Sequence, residues 1–132
     1  MREEKHEVSW NLASQQSMFI GNLIQQSMTA YLAGNIGDWF WKLNGIREMI
    51  HHDLNPEELK DLDKLEKEIS PCQNSWKKIV KLKLKGTKPD KEDIKNTREF
   101  PNKIRLYQRR LMEILKRQGY FPNKENKKKI SF

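Results

Sequence analysis

Apolar residues return at helical spacing along most of this chain. Only 6 Gly and 5 Pro punctuate the 132 residues, which favours few, long elements. The clearest stripe is Ile104, Tyr107, Leu111, Ile114 and Leu115, on one face of a helix predicted over about 102–118 and closed by Gly119. The pattern predicts an all-α fold, a compact bundle of four or five helices. It would form a single domain over 1–121, followed by a flexible basic tail over 122–132. A hydrophobic content of 36% beside a charged content of 33% suits a small helical protein with exposed faces.

The first helix is predicted over about 7–33. Val8, Leu12, Phe19, Ile20, Leu23, Ile24 and Tyr31 share one broad arc, and Gly34 is a natural stop. The opposite arc carries Asn11, Ser14, Gln15, Asn22, Gln25 and Thr29. Residues 8–37 contain no charged residue, yet Ser, Asn, Gln and Thr interrupt the run too often for a membrane span. A polar but uncharged face can be covered without desolvating ions. It is either a plain Gln/Ser-rich surface or one side of a subunit interface, and the second alternative predicts a homodimer.

The second helix is predicted over about 37–52, with Asp38 near its positive end and Trp39, Phe40, Leu43, Ile46 and Ile50 as its core stripe. Trp41 is turned well away from that stripe. Packing on a neighbouring element of the same chain is the expected arrangement, and anchoring a partner is the alternative. Asn55-Pro56-Glu57-Glu58 reads as a helix start, followed by Leu59, Leu62, Leu65 and Ile69. Ser70-Pro71 is expected to break or bend that helix. From 72 to 86, Trp76, Ile79, Val80 and Leu84 fit a helix, whereas Val80–Lys85 alternates like a strand. Helix is preferred, because no second strand is evident. A short helix over about 90–98 and a bend at Phe100-Pro101 complete the expected order.

Charge divides the chain. Residues 1–70 hold 7 Lys/Arg against 12 Asp/Glu and residues 71–132 hold 19 against 6, net charges of −5 and +13 within a total of +8. A concentrated positive field raises the local concentration of polyanions, of which nucleic acid is the commonest. The candidate nucleic-acid-binding residues are Lys77, Lys78 and Lys81, then Lys103, Arg105, Arg109, Arg110, Lys116 and Arg117 on the last helix, and Lys127, Lys128 and Lys129 in the tail. Against this stands the plain alternative that these cations only solubilise amphipathic helices. A helix-turn-helix is a further alternative, with Leu65, Ile69, Trp76 and Ile79 as its apolar frame and Gln73, Asn74, Lys77, Lys78 and Lys81 facing a groove. Its turn would hold Ser70-Pro71, which suits the motif poorly.

Catalytic and metal chemistry find little support. His51 and His52 are adjacent, so on a helix they point about 100° apart and do not converge on one ion. Cys72 is the lone cysteine. It excludes an intrachain disulfide, points to a reducing, cytoplasmic setting, and reads as packing rather than as a nucleophile. There is no secretory leader pattern, no Gly-rich phosphate loop and no Cys-x-x-Cys pair. The expectation is a non-catalytic protein without cofactor or metal that binds nucleic acid through its C-terminal half. The alternative is an assembly or adaptor factor, such as a small accessory or viral protein, that uses Gln15, Asn22, Gln25 and Trp41 as a protein interface, or a protein with an acidic protein partner. An enzyme of unrecognised type comes third.

Overall fold

The computed structural model describes the backbone of residues 2–120 and the side chains of residues 16–120. Four α-helices follow one another: α1 (Arg2–Leu32), α2 (Ile36–Met49), α3 (Pro56–Lys85) and α4 (Lys91–Arg117), with a 3-10 turn at His51–Asp53 between α2 and α3. No strand occurs among the described residues, and the class is all-α as expected. Contacts group the chain into two compact units, Met1–Asp53 and Leu54–Phe132.

The first unit is the pair α1 and α2. At the end of α1 Gly34 takes φ +75°, and the Asn35 N–H reaches back to the Ala30 carbonyl at 2.9 Å. Asn35 then caps α2, its side-chain oxygen accepting from the Asp38 N–H at 3.3 Å. The buried face of α1 is narrower than the arc expected from sequence. Ile20, Ser27 and Ala30 form its centre, and Leu23 lies beside Gly45 of α2, where no side chain keeps the helices apart. Phe19 sits at the edge of that arc and is 61% exposed, and Tyr31, at the other edge, is also exposed while its ring tilts against Trp39 at 4.7 Å. Small residues set the line of closest approach, and a reading weighted toward large side chains does not register them. Val8 and Leu12 fall outside the described side chains. Trp39, Phe40, Leu43 and Ile46 of α2 and the C-cap residue Ile50 are all buried.

The second unit is a helical hairpin. A capping box opens α3: the Glu58 N–H donates to Asn55 Oδ1 at 2.8 Å, and the Asn55 N–H donates to Glu58 Oε1 at 3.0 Å. Gly86 at φ +70° closes α3, with the Thr87 N–H bonded to the Leu82 carbonyl at 3.0 Å. Asp90 then caps α4 by accepting from the Asp93 N–H at 2.9 Å. Leu62, Ile69 and Cys72 of α3 are buried, as are Phe100, Ile104, Tyr107, Leu111, Ile114 and Leu115 of α4.

Two expected breaks are absent. Neither Ser70-Pro71 nor Phe100-Pro101 ends a helix, so four elements expected from sequence are two. Each proline withholds one helical donor, from the Lys67 and Thr97 carbonyls respectively. Both lie between the Glu68–Lys103 ion pair and the Asn96–Ser75 hydrogen bond, so the two interruptions fall at one height of the hairpin. The apolar stripe continues past each of them through Ile69 and Cys72 and through Phe100 and Ile104, and this packing outweighs the local cost. Val80–Lys85 is helical, not a strand. The uninterrupted α3 also removes the helix-turn-helix alternative, because Leu65, Ile69, Trp76 and Ile79 belong to one helix.

Candidate functional site

Pairing between α3 and α4 decides which cations remain for a partner. The first half of α3 is acidic and faces the basic second half of α4. Glu58 takes Arg117 at two points, 2.7 and 2.6 Å. Asp61 takes Arg110 at 3.0 Å, and Glu66 accepts from the Tyr107 hydroxyl at 2.8 Å. Glu68 stands 3.9 Å from Lys103. At the other end the signs invert. Lys78 of α3 lies 3.0 Å from Asp93 of α4, which also accepts from the Ser75 hydroxyl at 2.9 Å. Arg117 holds the Glu58 carboxyl below its ordinary range, against the opposing effect of burial. Lys78 does the same to Asp93, and Asp93 in turn raises the Lys78 ammonium.

Lys78, Lys103, Arg110 and Arg117 are therefore each engaged by an acid of the neighbouring helix. The seven-residue spacing of Lys103, Arg110 and Arg117 along α4 marks the flank that meets the acids of α3, although Arg117 keeps about half of its side chain in solvent. Arg105 donates to Asn102 Oδ1 at 2.8 Å on its own helix and stays exposed. Lys77, Lys81, Arg109 and Lys116 are exposed and take no part in the interhelix pairs. Lys127, Lys128 and Lys129 lie outside the described residues.

The outer side of α4 carries a more regular arrangement. Lys91, Lys95, Arg98, Arg105, Arg109 and Lys116 are all exposed. At 100° per residue they fall within an arc of about 80° on the side opposite Ile104, Tyr107 and Leu111. Asn102 lies within the arc, Leu106 and Met112 border it, and one carboxylate, the exposed Glu113, shares it at the angle of Lys95. Glu113 stands 3.4 Å from Arg110, and the buried Asp93 lies off the arc against Ser75. Sequence reasoning placed Arg105, Arg109 and Lys116 on this line but missed Lys91, Lys95 and Arg98. The heptad spacing of Lys91, Arg98 and Arg105 was the available signal, hidden by the break expected at Pro101.

The uncharged face of α1 is the second feature. Met18, Gly21, Gln25, Met28 and Leu32 repeat at three- and four-residue steps and are exposed, Leu32 to 81%. Asn22 and Gln25 are exposed and border an open groove with Thr29 of α1 and Asp38 and Lys42 of α2. The side chain of Gln15 lies outside the described residues. Trp41 does not pack on a neighbouring element as expected. It is 71% exposed, because α2 already buries Trp39 and Phe40 on the other side.

His51 and His52 occupy the 3-10 turn, exposed, with ring centroids 5.8 Å apart. Among the described residues no three His, Cys, Asp or Glu side chains come together as a metal site. Cys72 is buried, and burial pushes its thiol up from the ordinary value. No helix among the described residues is long and apolar enough to cross a membrane. No family model, curated protein or solved structure matches the chain.

Proposed function

We propose that this protein binds nucleic acid through the outer face of α4. One observation carries the reading. After α3 has taken Lys103, Arg110 and Arg117 into pairs, α4 still presents Lys91, Lys95, Arg98, Arg105, Arg109 and Lys116 on one exposed line, with a single carboxylate, Glu113, among them. Cations scattered for solubility are ordinarily interleaved with acids, as on the outer side of α3, where Lys60, Asp63 and Lys67 alternate in sign. A row of six cations to one acid focuses its field on polyanions and binds them by releasing condensed counterions. Lys77 and Lys81 are exposed as well but stand on α3, off this line.

The test is retention on immobilised nonspecific nucleic acid at low salt, followed by elution in a salt gradient. The triple change Arg105→Glu, Arg109→Glu and Lys116→Glu is expected to abolish retention while leaving the helical circular dichroism unchanged. A wild-type protein that flows through at low salt ends this reading and leaves the row to solubility or to an acidic protein.

A second reading rests on a different observation, the exposed, charge-free line of Met18, Gln25, Met28 and Leu32 on α1. Interface cores are depleted in charge and enriched in Met and aromatics. We read this face, with Trp41, as a surface for a second copy of the chain, giving a homodimer. Sedimentation of wild type against Gln25→Lys/Met28→Lys tests it, and a wild-type monomer at high concentration refutes it.

A further inference from the structure

The row on α4 also has a shape, and the shape narrows the polyanion. From Lys91 to Lys116 it runs along a continuous helix for about 38 Å at 1.5 Å per residue. That is close to one turn of double-helical DNA, about 34–36 Å. Its cations are fixed to a rod whose other side is held by Phe100, Ile104, Tyr107 and Leu111, all buried. A rigid line of charge gains most from a polyanion whose phosphates are also held in place.

The side chains absent from the row matter as much. Proteins that hold single strands combine a basic groove with aromatic rings on which bases stack. No aromatic residue lies on this line of α4: Phe100 and Tyr107 are buried on the opposite side. Double-stranded RNA is recognised through ribose hydroxyls in a shallow minor groove, which takes polar side chains that donate and accept. Asn102 is the one amide on the line, and its oxygen is occupied by Arg105 at 2.8 Å. The row thus offers six cations for backbone phosphates, interrupted by the one carboxylate of Glu113, and little for bases or 2′-hydroxyls.

We infer that the outer face of α4 docks on the phosphate backbone of double-stranded DNA, without reading its sequence. This rests on the nucleic-acid reading above and specifies its partner. Contacts to phosphate fix position and carry no sequence information, so two duplexes of unrelated sequence bind alike.

The test uses the full chain and fluorescein-labelled 24-mers read by anisotropy: two duplex DNAs of unrelated sequence, one duplex RNA and one single-stranded DNA. Both DNA duplexes are expected to bind equally and about tenfold or more tighter than the single strand or the duplex RNA. The logarithm of affinity should fall against the logarithm of salt with a slope near 5, about 0.9 for each of six neutralised phosphates. Arg98→Glu/Arg105→Glu should weaken duplex binding about 100-fold, whereas Lys77→Glu/Lys81→Glu on α3 should weaken it less than about threefold. The milder Arg98→Gln/Arg105→Gln should lower the salt slope by about 2 and guards against any loss of fold in the charge reversal. Equal or tighter binding of single-stranded DNA or duplex RNA overturns the inference while the nucleic-acid reading stands. A greater loss from the α3 pair than from the α4 pair overturns the placement on α4. Binding to none of the four probes at low salt removes both.

Discussion

Arg117 grips Glu58 at two points, Nε on Oε2 at 2.7 Å and Nη2 on Oε1 at 2.6 Å, while the same Oε1 accepts the Asn55 N–H at 3.0 Å. One carboxylate thus completes the cap of α3 and fastens the last turn of α4. The Glu58 side chain is 4% exposed and that of Arg117 49%, so the acid depends on the pair more than the base does.

Removing Arg117 leaves a buried carboxylate with only its capping contact. Arg117→Met is expected to destabilise the hairpin by about 1–3 kcal/mol, measured by urea unfolding. Glu58→Gln should cost a similar amount, and the double change less than the sum, because both singles break the same pair.

Acid should act through the same carboxylate. The folded Glu58 titrates below its ordinary 4.5, so its contribution is fully present above the unfolded value and is lost as pH falls through the lowered folded one. Asp93, held below 3.8 by Lys78, follows the same sign. Thermal unfolding between pH 6 and 2 should therefore show stability falling below about pH 4.5, with a smaller fall in Glu58→Gln.

Two glycines should respond in opposite directions. A Cβ at Gly86 meets open space but must adopt φ +70°, so Gly86→Ala should cost about 1–2 kcal/mol. Gly21 lies exposed within α1, where a Cβ also meets nothing, and Gly21→Ala should stabilise by about 0.5–1 kcal/mol. Melting temperatures of the two variants decide the matter.

Cys72 should react slowly with an aromatic disulfide reagent in the native protein. Its thiol is buried and its ionisation is pushed up by that burial. Labelling at pH 8 is expected to accelerate by more than about tenfold once urea unfolds the chain.

The tryptophans of α2 should separate fold from surface. Trp39 is 2% exposed and Trp41 71%. Trp39→Ala should cost about 3–5 kcal/mol, whereas Trp41→Ala should shift stability by no more than about 0.5 kcal/mol and, in the homodimer reading, weaken self-association.

The helical class and the buried lines Trp39–Ile50 and Ile104–Leu115 were legible in the sequence, because a 3.6-residue period survives any tertiary arrangement. Pro71 and Pro101 misled because their local cost is plain in sequence, whereas the continuous apolar face that outweighs it spans both sides of each. The division of cations was hidden for another reason. Whether Arg110 or Arg109 meets solvent depends on the register of α4 against Asp61, and spacing within one helix does not contain that register. The direction of Trp41 away from the Trp39 and Phe40 stripe is legible in the sequence, whereas whether a neighbouring element receives it depends on tertiary packing, which leaves it 71% exposed.

The acid-to-base matching of α3 and α4 has a topological consequence. Each of the pairs Glu58–Arg117, Asp61–Arg110 and Lys78–Asp93 requires only that the two faces meet, and either helix can be supplied by another chain. The short link from Gly86 to Asp90 is what folds one molecule back upon itself. A link straightened into continuous helix would hand each arm to a neighbouring chain in a swapped dimer, and every charge would find the same kind of partner it has now.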